Sequence, residues 1–257
     1  MTEPTSTEQT SADGKGAAPV SGGIGTLKTV ALDVPDLAVE ATFWTALTGG
    51  AVDKDSDDWD WVTVVTPDQW RIAFQLAPDH IAPQWPGQEH PQQAHLDLYV
   101  PDLAAGSARA VELGARVLRE SEQWITLADP AGHPFDLCLK EGSEGVAVMG
   151  TTFDCADASA LAQFWSGVLG QPVTYDADGV AMLGGDRPVL FQSVEEYNPP
   201  RWPDPAYPQQ VHLDIRVPDL DAGEAAALAL GAARLPGQGD GFRVFADPAG
   251  HPFCLVL

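Results

Sequence analysis

Apolar and polar side chains alternate strictly in several short stretches of the chain. In residues 29–34, Val30, Leu32 and Val34 alternate with Thr29, Ala31 and Asp33; in 95–100, Leu96, Leu98 and Val100 alternate with His95, Asp97 and Tyr99. A period of two marks a strand with one buried face. An Asp suited to cap a helix stands after each opening strand, at Asp36, Asp102, Asp157 and Asp219. Helical spacing comes next: Leu161, Phe164, Trp165, Val168 and Leu169 form one apolar stripe. Gly49, Gly114, Gly170 and Gly231 end the four predicted helices, glycine being the residue that takes left-handed backbone most easily. Short strand candidates follow, among them 61–65, 71–76, 124–127 and 135–139. Asp129-Pro130-Ala131-Gly132 and Asp247-Pro248-Ala249-Gly250 read as turns before a last strand, with Pro presetting φ and Gly permitting φ > 0. The predicted unit is strand–helix–strand–strand–strand.

The unit recurs. His95-Leu96-Asp97 leading to Val100-Pro101-Asp102-Leu103 returns as His212-Leu213-Asp214 leading to Val217-Pro218-Asp219-Leu220. Trp85-Pro86 returns as Trp202-Pro203, Pro91-Gln92-Gln93 as Pro208-Gln209-Gln210, and Phe43-Trp44 as Phe164-Trp165. So many unlike residues at matched spacing imply a tandem duplication. A weaker repeat inside each copy gives four units, at about 26–80, 92–140, 147–196 and 209–257. Two domains are expected, 26–141 and 147–257, joined by a Gly- and Ser-containing linker; the pairing of units stays open, since any pairing leaves the same pattern. Residues 1–25, polar and without periodicity, are expected to be a disordered tail. They lack the basic and apolar regions of a signal peptide, so a cytoplasmic protein is expected.

Charge narrows the partners. With 13 Lys and Arg against 37 Asp and Glu, the net charge is −24, which repels nucleic-acid phosphates and anionic lipid. No apolar run approaches the roughly 20 residues that span a bilayer. Three cysteines are too few for a disulfide framework or a Cys-rich zinc site. The expected partner is a small molecule, neutral or cationic, with neither nucleic acid nor membrane.

Strand alternation then sorts the candidate chemistry. His95, Asp97 and Tyr99 share the face opposite Leu96 and Leu98, and Asp136 and Cys138 share the face opposite Phe135 and Leu137. The second copy offers His212, Asp214, Arg216 and Cys254 in the same way, and Trp59 and Trp61 point to one side together. A curved sheet with such a face forms a cup with a polar floor and aromatic walls. His95 beside Asp136 reads as an acid–base pair or a buried hydrogen-bonded pair. Trp85 and Trp202 sit in Pro-rich connections and read equally as lids over the cups or as pins for a long loop. Phe43, Trp44, Phe164 and Trp165 read as core, His133 and His251 as turn residues, and Cys254 as an unreactive thiol.

These residues resemble a known family. The doubled unit, the His-Leu-Asp strand entering a capped helix, the Phe74-Gln75 and Phe191-Gln192 strands, and the Asp-Pro-x-Gly-x-Pro-Phe ending are similar to the vicinal oxygen chelate superfamily of glyoxalases, bleomycin-resistance proteins and extradiol dioxygenases. The resemblance covers residues 26–257 and implies an α+β fold, four βαβββ units paired into two cup-shaped domains, as a monomeric pseudo-dimer or a homodimer. It implies ligand positions at Thr29, Gln75, His95 and Asp136 in a first cup and at Gly150, Gln192, His212 and Cys254 in a second. Of these only His95 and Asp136, with the weaker Gln75, offer a metal set, for Zn, Ni, Fe or Mn; no cofactor is the expectation otherwise. The implied function is binding of a small organic molecule, aromatic or cationic, as in antibiotic sequestration. Trp59, Trp61, Gln75, Trp85, Tyr99, Gln192, Trp202, His212, Arg216 and Cys254 would contact it. The alternative is a lyase, isomerase or dioxygenase using His95 and Asp136 with a metal or as an acid–base pair; a third class is a partner-binding protein with vestigial cups.

Overall fold

A computed structural model of the chain describes residues 22–54 and 59–257. The four units appear as expected. The first holds β1 (Thr26–Val34), α1 (Leu37–Thr48), β2 (Ala51–Val52), β3 (Trp61–Val65) and β4 (Arg71–Leu76). The second holds β5 (Ala94–Val100), α2 (Leu103–Leu113), β6 (Arg116–Glu120), β7 (Trp124–Ala128) and β8 (Pro134–Leu139). In the third come β9 (Ala147–Cys155), α3 (Ala158–Leu169), β10 (Val173–Ala177), β11 (Val180–Leu183) and β12 (Val189–Ser193). The fourth has β13 (Val211–Arg216), α4 (Leu220–Leu230), β14 (Ala233–Gly239), β15 (Phe242–Ala246) and β16 (Pro252–Val256).

Local chemistry sets the helix ends. Asp36 accepts from the Ala38 and Val39 N–H groups at 3.0 and 3.1 Å, and Asp102, Asp157 and Asp219 each cap one N–H of their own helix. The four terminal glycines all have positive φ, 71° at Gly49 and 117° at Gly114. Among the described residues no helix is long and apolar enough to cross a membrane. The expected tail lies outside the described residues up to residue 21; Ile24 and Gly25 already belong to the fold, donating to the Val168 carbonyl at 2.8 and 3.1 Å.

The sheets cross the sequence copies. One eight-stranded sheet runs β14-β15-β16-β13-β1-β4-β3-β2, and the other β10-β11-β12-β9-β5-β8-β7-β6. At the centre of each, strands from different copies meet antiparallel, β1 with β13 and β5 with β9. The reason lies in the apolar faces. Units of one copy stand back to back: Phe43 and Trp44 of α1 pack on Phe135 of β8, and Trp44 Nε1 donates to Asp129 at 3.3 Å. Phe164 and Trp165 of α3 meet Phe253 of β16 in the same way, with Trp165 Nε1 donating to Asp247 at 3.0 Å. With its apolar faces used inside the copy, each copy leaves the edges of its opening strands for the other. His133 and His251 are buried beside these contacts, His133 Nε2 lying 2.7 Å from the Asp33 carbonyl and His251 Nδ1 3.0 Å from Asp247.

Candidate functional site

Strand alternation puts Thr29, Ala31 and Asp33 of β1, Gln75 of β4, His212 and Asp214 of β13, and Cys254 of β16 on one face of the first sheet. That face floors a cavity of about 710 Å³, walled by Trp61, Trp202 and Phe242. The floor is wired together. The Gln209 amide donates to Asp33 Oδ1 and to His212 Nδ1, both at 2.9 Å. With Nδ1 accepting, the His212 ring proton sits on Nε2, which lies 3.7 Å from Asp214 Oδ1. Burial raises the Asp33 carboxyl to about 6, against the hydrogen bond from Gln209 that favours its charged form. Burial, with Asp214 and Asp33 adding to it, also pushes the Cys254 thiol up, which favours the protonated form.

The second sheet carries the sister set. His95 Nε2 lies between Asp97 Oδ1 at 3.6 Å and Asp136 Oδ2 at 3.9 Å. Here Gln92 donates to Asp154 at 3.2 Å rather than to the histidine, and Gln192 donates to the same carboxylate at 2.6 Å. His95 Nδ1 and Asp136 Oδ1 are buried without a hydrogen-bond partner. Burial would lower the His95 pKa, but the carboxylates of Asp97, Asp136 and Asp154 outweigh it and raise the group to about 9. Thr152 donates to Asp97. One cup therefore holds an imidazolium among carboxylates, and the other a histidine hydrogen-bonded to Gln209 under aromatic walls.

The expected residues divide between the two. His95 and Asp136 come together, but Gln75 lies in the other sheet, opposite Trp61 and beside Asp33, so the metal set His95, Asp136 and Gln75 does not form. The cause is the crossing of copies between sheets. Asp97 replaces Gln75: the donor atoms of His95, Asp97 and Asp136 lie within 4.8 Å of one another, as do those of His212, Asp214 and Cys254. Position 150 contributes nothing, because a Cβ there would meet the Pro188 carbonyl oxygen at 2.9 Å. Trp61 and Trp202 line the larger cavity; Trp59 stands 78% exposed and outside its lining, and Trp85 is half-buried and also outside it. Tyr99 lies under Lys140 Nζ at 4.2 Å, Gln192 bonds to Asp154, and Arg216 is exposed beyond Asp214. Asp33, Asp154, Gln92 and Gln209 were not expected in the site. The doubled Pro-Gln-Gln was visible in the sequence, but nothing local shows that the first Gln turns inward.

The glyoxalase-like domain family matches the chain twice, over residues 29–138 and 150–256. Glyoxalase I from Zea mays superposes with a TM-score of 0.60 at 17% identity, covering 90% of this chain and 92% of that one. A putative dioxygenase from Bacillus subtilis does so with a TM-score of 0.59 at 13% identity, over 91% and 85%. At these identities the likeness is one of fold. No curated protein matches the chain. Two family matches spanning most of the chain, on four βαβββ units joined into two sheets, mean that the chain belongs to the glyoxalase-like domain family, within the vicinal oxygen chelate superfamily.

Proposed function

We propose that the chain binds a small, partly aromatic organic molecule in the cup of the first sheet. The observation that supports this is the cavity of about 710 Å³ between the aromatic walls of Trp61, Trp202 and Phe242 and a floor of His212, Asp214, Gln75 and Gln209. Apolar walls supply most of the affinity and a few fixed polar groups orient the ligand. Sequestration needs no more than this. The test is a thermal-shift and tryptophan-fluorescence screen of aromatic metabolites and antibiotics, repeated on Trp61→Ala. A hit should weaken about tenfold in the variant, the loss of one stacking partner and its buried area. Hits that bind the variant as tightly as the native chain refute the reading.

A second reading, a lyase, isomerase or dioxygenase, draws on the other cup. His95, Asp97 and Asp136 offer one nitrogen and two carboxylate oxygens, with Asp136 Oδ1 buried and unpartnered, a donor set that suits Zn, Ni, Fe or Mn. A divalent ion held there would supply Lewis-acid polarisation of a ligand oxygen. Without an ion, the His95 imidazolium would serve as a general acid, with Asp97 and Asp136 holding its proton. Elemental analysis of the purified protein distinguishes the two: stoichiometric metal lost in both His95→Ala and Asp97→Ala supports the metal, and metal retained in both variants excludes this site.

A further inference from the structure

Four of the 13 basic residues, Lys28, Arg71, Arg187 and Arg216, surround a second pocket of about 520 Å³, which meets the binding cavity at Lys28. In a chain with 37 acidic residues a cation readily finds a carboxylate. Arg71 does so, donating to Asp53 at 2.6 Å. Lys28, Arg187 and Arg216 form no ion pair among the described residues. Arg187 instead donates to the carbonyls of Leu27, Lys28 and Gln69 at 2.5, 3.2 and 2.9 Å. Neutral oxygens fix it in place without cancelling its charge.

Strand geometry explains the convergence. His212, Asp214 and Arg216 alternate onto the cup face of β13, and Gln75, Ala73 and Arg71 onto that of β4. Along both strands the floor passes from polar and acidic groups to arginine, toward the start of β1, where Thr26 pairs with Arg216. Lys28 should alternate away to the helix side. The register slips between Leu27 and Thr29, however, and this irregularity re-aims Lys28 so that it lines the cavity. The sister cup has Met149, Tyr99 and Pro188 at the positions of Lys28, Arg216 and Arg71, so this cluster of three cations belongs to one cup, and the other carries Lys140 over Tyr99 instead.

We propose that the ligand of the larger cavity is an organic anion, its aromatic or apolar body against Trp61, Trp202 and Phe242 and its anionic group on Lys28 and Arg216. This rests on the cavity being the binding site. The net charge of −24 points to a neutral or cationic ligand, but salt screens that field over about 8–10 Å and the nearest cations decide at the mouth.

Two fluorescent probes with one aromatic body test it: 8-anilinonaphthalene-1-sulfonate and the uncharged N-phenyl-1-naphthylamine, titrated into the full chain and into Trp61→Ala to locate the signal. The sulfonate should bind about tenfold tighter than the uncharged probe, and this preference should shrink in high salt. In the double variant K28M/R216Y, which carries the sister cup's residues, the ratio of the two affinities should fall about tenfold. A sulfonate that binds no tighter than the uncharged probe, or a ratio unchanged in the variant, overturns the anion. Trp61-dependent binding of the uncharged probe alone keeps the cavity and removes the anion; binding of neither probe removes both.

Discussion

Glu40 shows how one residue breaks the symmetry of the repeat. It is 1% exposed in the buried face of α1, beside the buried Asp129, where the matching position of α3 holds Leu161. Burial and then the Asp129 charge raise its carboxyl from 4.5 to about 9. A folded-state value above the unfolded one means that protonation favours the fold. The stabilisation is complete below about 4.5 and is lost as pH rises through about 9. Glu40→Gln, which carries no charge, should match the native chain at pH 5 and exceed it by about 1–3 kcal/mol at pH 8.5 in urea denaturation. Equal stability at both pH values would refute the raised Glu40 carboxyl. At this scale the sequence showed which face His95, Asp136 and His212 occupy, because alternation is local; it did not show that Asp33 and Gln209 reach His212, because a hydrogen bond between distant segments leaves no local pattern.

Among the elements, the helix caps and the Asp-Pro-Ala-Gly turns were legible in advance, since each is satisfied within a few residues of itself. Gly132 and Gly250 take φ of 97° and 100° in those turns, and their N–H groups return to Asp129 and Asp247 at 3.0 and 2.9 Å. Gly150 was less legible. It reads in sequence as a missing ligand, and in the sheet as a point of close approach, with a Cβ meeting Leu190 Cδ1 at 2.7 Å and the Pro188 oxygen at 2.9 Å. Gly150→Ala should therefore cost about 1–3 kcal/mol, because backbone must move, and chemical denaturation would measure it. A neutral substitution would show that the strands relax freely there. The slip at Lys28 is of the same kind: alternation predicts its side wrongly, and only the pairing with β13 reveals the irregularity.

At the scale of the molecule, aromatic packing and strand pairing link different pairs of units. Aromatic contacts join the two units of one copy, Phe43 and Trp44 with Phe135, and Phe164 and Trp165 with Phe253, while each sheet joins units of different copies and the apolar core runs through all four. Residues 22–141 expressed alone would keep the aromatic contacts of their own copy but expose the inner edges of β1 and β5, unpaired hydrogen-bonding groups that seek another strand. Mixed with residues 142–257, they should form a 1:1 complex; alone, they should self-associate through the same edges. Size-exclusion chromatography with light scattering reads both outcomes. A fragment that stays monomeric and fully folded would contradict the crossed arrangement.

Periodicity, caps, turns and the tandem repeat determined from sequence alone that the chain forms four βαβββ units with polar faces, since each of these rests on contacts a few residues apart. Tertiary structure alone decided which units share a sheet. That choice parted Gln75 from His95, set the aromatic walls over His212 instead, and gathered scattered cations at one mouth. Pairing across copies rests on strand edges far apart in the sequence, β1 with β13 and β5 with β9, and no local pattern records which edges meet.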